Sequence, residues 1–137
     1  MSAVIRVFTV ADLPAATALW SATAGLGDTP APAQLTRFLD RNPGLSQAAE
    51  AEGRLVGCLL ASFDGIRGML YRLAVEPAQR RRGVARALVA AAVDALRAAG
   101  ADRCNLHTYL DNADAHAFWP QVGWRHDPRV AFWSRRW

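Results

Sequence analysis

At 137 residues, 52% of them hydrophobic, the chain is the size of one domain and can build a single core without disulfide or metal support. It contains no uninterrupted apolar run of about 18 residues, and Asp12 and Pro14 interrupt the opening MSAVIRVFTVADLP; this argues against a membrane span or secretory leader and predicts a soluble, cytoplasmic protein with no membrane partner. The formal charge of +4 rests on 16 basic residues, all of them arginine, and suits nucleic acid, acidic protein surfaces or a phosphate-rich ligand equally well.

Val4 to Phe8 is a short β-branched run and predicts a first strand. Asp12 and Pro14 then open a helical pattern carrying Leu13, Leu19 and Trp20. Gly25 to Pro32, rich in Gly, Pro, Asp and Thr, predicts a loop. Gln34 to Arg41 places Leu35, Phe38 and Leu39 at helical spacing and is stopped by Asn42, Pro43 and Gly44. Leu45 to Ala51 and Arg54 to Phe63 predict two strands joined at Glu52-Gly53. Asp64-Gly65, with Gly68, separates the second from a third, Met69 to Val75, giving an antiparallel meander.

Gly83 to Ala99 is alanine-rich, with Val84, Leu88, Ala91 and Ala95 on one stripe and Gly100 after it, which predicts a largely buried helix. Cys104 to Tyr109 reads as a strand and Asn112 to Val122 as a helix closed by Gly123. Val130 to Arg135 reads as a last strand, whose apolar, aromatic character makes it a candidate edge for a homodimer. The order βααβββαβαβ is α/β, one domain over residues 1–137 with a mixed sheet. Cys58 and Cys104 lie in apolar strand-like runs with no CxxC or histidine-rich company, so they read as buried reduced thiols, with no metal site.

The stretch from Leu73, Ala74 and Val75 through Glu76-Pro77 to Arg80-Arg81-Arg82-Gly83-Val84-Ala85-Arg86 carries the most chemistry. An apolar strand ends at a proline, a basic turn follows, and a glycine opens a long helix. The first amides of a helix have no intrahelical acceptor and sit at the positive end of its dipole, so backbone alone can hold a multi-oxygen anion such as a pyrophosphate there. Gly83 permits close approach of the backbone, Ala85 keeps the first turn clear, and the arginines add positive potential.

These residues resemble the acyl-CoA signature of the GNAT superfamily of N-acetyltransferases: Arg or Gln, two residues, Gly, one residue, then Gly or Ala, after a strand ending in Val-x-Pro. Leu106 and Thr108, the Asn112 to Trp119 block and Gly123-Trp124 are similar to the family's later strand, Asn-led helix and Gly-aromatic exit. The likeness spans nearly the whole chain and, with the Asp64 to Gly68 hairpin, is nearest in appearance to the compact bacterial YpeA-like acetyltransferases. It implies a GNAT fold with a mostly antiparallel central sheet and helices on both faces. It also implies acetyl-CoA as cofactor and direct transfer of the acetyl group to a small-molecule or peptide amine within a ternary complex.

By the same resemblance, the backbone of Leu73, Ala74 and Val75 pairs with the pantetheine arm, and one amide there polarises the acetyl oxygen. Asn112 bonds the pantetheine, caps its own helix, or does both. Trp119 packs against the arm, while Phe118 faces the core, and residues 20 to 32 shape the acceptor pocket. His107 stands where some family members carry a glutamate base, and a neutral imidazole can take the amine's proton; the other reading is a histidine packed on the sheet. The family's acid is a tyrosine, but the matching residue is Trp119, whose indole N–H is a hydrogen-bond donor and not an acid. Tyr109 and Tyr71 are the candidate substitutes, or the thiolate leaves unaided or through water. Glu76, Asp64 and Glu50 read as structural carboxylates.

The alternative is a catalytically weak GNAT-fold module that binds acyl-CoA or docks on a partner, motivated by Trp119 and the aromatic end from Phe132 to Trp137. A nucleic-acid partner is not expected, because no stacking-aromatic motif or helix-turn-helix pattern accompanies the arginines.

Overall fold

A computed structural model of the chain describes residues 2–137. By its internal contacts the chain divides into two compact units, one ending at His107 and the other Thr108–Trp137.

The first unit is built on a five-stranded sheet in the order β1 (Val4–Val7), β2 (Gln47–Ala51), β3 (Arg54–Phe63), β4 (Gly68–Val75) and β5 (Cys104–Leu106). All neighbours are antiparallel except β4 and β5, which run parallel. Glu52 and Gly53 both take positive φ, 54° and 75°, as a two-residue hairpin with the twist of its strands requires. Asp64 closes the next turn by accepting from the amides of Ile66 and Arg67 at 2.7 and 2.8 Å.

Alternate residues of β3 serve opposite faces. Cys58 and Leu60 join a core formed with Leu13, Ala16 and Trp20 of α1 (Leu13–Ser21) and Leu35 and Leu39 of α2 (Pro32–Arg41). Gly57 faces α3 (Val84–Ala98): a Cβ there would lie 3.2 Å from Leu88 Cδ1 and 3.3 Å from Val84 Cγ1, so the missing side chain is what lets the helix sit so close. The expected α/β class, mixed sheet and helices on both faces are all present. The buried Asp12 receives Arg6 through two bonds of 2.8 Å and the Thr9 amide at 2.8 Å, fixing β1 to the start of α1.

In the second unit, α4 (Ala113–Gln121) is capped by Asn112, whose side-chain oxygen accepts from the Ala115 amide at 3.1 Å. Trp119 lies edge-on to Phe118 and Trp124, with ring centroids 5.1 and 5.2 Å away. Two expectations need correction here. Residues 107–109 are not part of β5, which ends at Leu106, and Val130 to Arg135 is not a strand. Apolar alternation makes an extended segment suitable for a ladder but supplies no partner, and residues 130–137 pair with no strand and are exposed throughout. The ordered strand edge that motivated a homodimer is therefore not formed by this segment.

Candidate active site

The turn before α3 is shaped for an anion. Pro77–Gln79 makes one 3-10 turn after β4, and Arg81 and Gly83 then take left-handed φ of 62° and 79°. Among the described residues, the amides of Gly83, Val84, Ala85 and Arg86 meet no protein acceptor; the ladder of α3 begins with the Ala87 amide on the Gly83 carbonyl at 2.9 Å. No side chain caps this helix. A Cβ on Gly83 would meet nothing within 4 Å, so glycine is required by its φ and leaves open space above the amides. An open pocket of about 390 Å³ lies beside them, lined by Gln79, Arg82, Gly83, Val84 and Ala87, with Ser2, Ala3 and Ile5 opposite. Arg80 ties the turn to the strand end through its Nε and the Val75 carbonyl at 3.3 Å, whereas Arg81, Arg82 and Arg86 are exposed and, among the described residues, outside any ion pair.

The strand that feeds this turn is irregular where the resemblance places the reacting carbonyl. Cys58 pairs with Ala74 and Leu60 with Tyr71, so Arg72 and Leu73 together oppose Leu59 in a β-bulge. Arg72 takes φ of 57°, rare for a side chain of its size. On the other edge of β4, the parallel ladder with β5 covers only Gly68 to Leu70, so within the sheet Tyr71 to Val75 has no neighbouring strand there. Leu70 pairs with Leu106, which puts Tyr71 and His107 one residue beyond the last pair on the two strands. Tyr71 is partly exposed, and its ring meets Phe38 edge-on at 5.6 Å.

The Arg72 side chain reaches back over α1. Its guanidinium donates to the carbonyls of Leu26 and Asp28 and to Thr29 Oγ1, each at 3.1 Å, pinning the loop between α1 and α2 against the bulge. Sequence reasoning did not single out Arg72. Nothing in Tyr-Arg-Leu-Ala-Val distinguishes it from a plain strand residue, and the loop carbonyls it binds are 44 and 46 positions away.

The carboxylates near the site are engaged elsewhere: Glu76 pairs with Arg54 at 2.7 Å, Glu50 with Arg6 at 3.1 Å, and Asp64 holds its turn. Of the expected site residues, Tyr71, Leu73, Ala74, Val75, Arg80 to Arg86 and His107 belong to the first unit, and Tyr109, Asn112 and Trp119 to the second. Tyr109 is exposed, and its carbonyl lies 3.1 Å from His116 Nε2. Burial pushes the Cys58 thiol up to about 12 and the half-buried Cys104 thiol to about 11; both are free. Among the described residues, no helix is long and apolar enough to cross a membrane.

The chain is similar to known proteins in sequence and in fold. The chain is 35% identical to an acetyltransferase of Pectobacterium atrosepticum, over 79% of this chain and 77% of that one. It is 36% identical to an acetyltransferase of Sodalis glossinidius over the same shares. Among solved structures it is similar to AAC(6')-Iy in complex with a CoA bisubstrate analogue, with a TM-score of 0.80 and 23% identity over 99% of each chain. It is also similar to Ard1 from Thermoplasma volcanium, with a TM-score of 0.76 and 22% identity over 90% of this chain and 82% of that one. Structural likeness at such identities speaks to the fold alone. The family model of the GNAT acetyltransferases matches residues 13–124, and with the two curated relatives this establishes that the chain belongs to the GNAT acetyltransferase family.

Proposed function

We propose that residues 1–137 work as one N-acetyltransferase domain that moves an acetyl group from acetyl-CoA to a primary amine by direct attack while both substrates are bound. The observation that carries this reading is the row of unsatisfied amides from Gly83 to Arg86, under open space, at the start of a 15-residue helix. Such a row suits the paired phosphates of CoA, and Arg81, Arg82 and Arg86 add charge without being tied to carboxylates of the chain. Among the structures of this fold, AAC(6')-Iy has been solved in complex with CoA.

Bound acetyl-CoA supplies the electrophile, the carbonyl carbon of its thioester. The free edge of Leu73 to Val75 offers backbone groups to an extended pantetheine arm, as an added strand would use them. An amide of Leu73 to Val75, beside the bulge, is the donor assigned to the acetyl oxygen. His107 is assigned the base that takes the proton from the attacking amine, because it follows directly on the last paired residue of β5. Tyr71, just past the same point on β4, and Tyr109 are assigned to the proton returned to the leaving thiolate. Asn112 and Trp119 are assigned to the pantetheine arm on the family resemblance; Asn112 also caps α4.

Calorimetric titration with acetyl-CoA, followed by thiol release over a panel of amines, tests the proposal. Binding and turnover are expected. Failure to bind CoA at millimolar concentration would overturn it, and tight binding without turnover on any amine would favour the alternative of an acyl-CoA-binding or partner-docking module. Substituting His107→Gln is expected to lower kcat while leaving CoA affinity near native; an unchanged kcat would return that residue to a packing role.

A further inference from the structure

We infer that the acceptor amine also carries an anionic group, a carboxylate or a phosphate, received by Arg37 and Arg41; this rests on the acetyltransferase reading and names the class of amine it serves. The first unit has an open pocket of about 430 Å³ beside α2, lined among others by Arg37, Phe38, Arg41, Ser62, Asp64 and Tyr71. Tyr71 connects it to the chemistry, since that residue lies just past the end of the β4–β5 ladder and directly before the bulge.

Arg37 and Arg41 stand four residues apart on α2, so they project as neighbours from one face of the helix. Two like charges so placed weaken a helix unless something balances them. Among the described residues, neither arginine is in an ion pair or donates a side-chain hydrogen bond to the protein, and Asp40, the carboxylate of the same helix, does not line the pocket.

Most of the other polar atoms of the lining are already engaged within the protein. Asn42 donates to the Phe38 carbonyl at 3.1 Å and accepts from the Phe63 amide at 3.0 Å. Gln34 accepts from the Ala31 amide at 3.0 Å, and Asp64 holds its turn. What remains for a ligand is two guanidinium forks, the Gln34 amide nitrogen and the hydroxyls of Ser62 and Tyr71, against one carboxylate, Asp64, whose Oδ1 is held by its own turn; the balance is donor-rich and cationic, suited to a carboxylate or phosphate. Phe38 and Tyr71, edge-on at 88°, offer an apolar surface between that set and the end of the ladder. A polycationic acceptor such as an aminoglycoside would bring like charge against both arginines, which separates this chain from the aminoglycoside acetyltransferases whose fold it shares.

The test pairs amines that differ only in the anion. With CoA binding first measured by calorimetry, thiol release is followed for β-alanine against β-alaninamide and O-phosphoethanolamine against ethanolamine, with neamine as the cationic arm. At least one anionic amine is expected to exceed its neutral partner about tenfold or more in kcat/KM, the scale of two partly exposed charge pairs. The pair that shows the gain distinguishes carboxylate from phosphate. Arg37→Ala combined with Arg41→Ala is expected to raise KM for that amine and bring the ratio toward one, with CoA affinity unmoved.

Equal or better turnover of the neutral amines or neamine would overturn the inference, as would a ratio that survives the double substitution. If CoA binds and no amine of the panel reacts, the inference falls while the cofactor reading stands. Absence of CoA binding takes down both.

Discussion

Trp20 and Arg72 hold each other at two points: the indole Nε1 donates to the Arg72 carbonyl at 2.8 Å, and the Arg72 guanidinium lies over the indole ring, 5.1 Å from its centroid. The backbone of the bulge is thus fixed from below by a fully buried tryptophan, and its side chain in turn fixes the loop between α1 and α2. Geometry at the bulge and geometry at the loop between α1 and α2 are set by one pair.

Arg72→Ala and Arg72→Gly remove the same side-chain bonds but differ in their tolerance of a φ of 57°. The glycine variant is expected to be more stable than the alanine variant by about 1 kcal/mol, read from urea unfolding. In both, amides of residues 26–29 should exchange faster with deuterium than in the native chain. Equal stability of the two would mean the left-handed backbone costs nothing here.

Replacing Trp20 by Phe keeps an aromatic ring in the core but leaves the Arg72 carbonyl without its indole donor. A loss of about 2 kcal/mol is expected, most of it from the unsatisfied carbonyl. A change below about 0.5 kcal/mol would show that another donor takes over.

Gly57 and Gly83 should fail in opposite ways. Gly57→Ala drives a methyl to 3.2 Å from both the Ala74 carbonyl and Leu88, so α3 must shift. A cost of about 1–3 kcal/mol is expected, with weakened CoA binding as the first turn of α3 moves away from β4. Gly83→Ala meets no protein atom but strains the backbone by about 1 kcal/mol and fills the space above the amides. Its stability should fall by no more than about that strain while CoA affinity drops at least as far as in the Gly57 variant. Calorimetry and urea unfolding on the two proteins separate them.

The Arg6 side chain holds the Asp12 carboxyl below its ordinary 3.8, against the opposing effect of burial. A depressed folded value means the carboxylate stabilises the fold above the unfolded pKa, and that this contribution fades as pH falls through the folded one. The native chain should therefore lose stability below about pH 4 more steeply than Asp12→Asn, which is expected to start about 1–3 kcal/mol less stable at pH 7. Parallel curves for the two proteins between pH 5 and 2 would contradict the assignment.

At pH 8 in the native state, Cys58 should alkylate far more slowly than a free thiol, since a pKa pushed up to about 12 lowers its thiolate fraction roughly thousandfold. Cys104, at about 11 and only half-buried, should react ahead of it. Iodoacetamide labelling followed by peptide mapping distinguishes the two, and a faster Cys58 would imply that the core beneath Trp20 opens.

Much of the first unit was legible because its signals are local. The Glu52-Gly53 hairpin, the alternation of β3 and the glycine ahead of α3 each depend on a few neighbouring residues, and each lies within a residue or two of its expected place. Arg72 was not legible, since a bulge is decided by how two strands mismatch and not by either strand alone. Nor was the pocket beside α2, which Arg37 and Arg41 line with Tyr71, since it forms only where the helix meets the sheet. Val130 to Arg135 fails for the converse reason: its letters suit a strand, but extended structure is a property of pairs.

The unshared edge from Tyr71 to Val75 also bears on how long the protein survives. An extended molecule that takes up those amides can do so only when the sheet is folded, so by mass action each tenfold excess over its dissociation constant adds about 1.4 kcal/mol to the unfolding free energy. The same occupancy shields a template on which stray strands from other chains could grow. With acetyl-CoA as the proposed occupant of that edge, a cell rich in the acyl donor would keep more of this protein intact, and a starved one would clear it faster, before any regulation of its gene came into play.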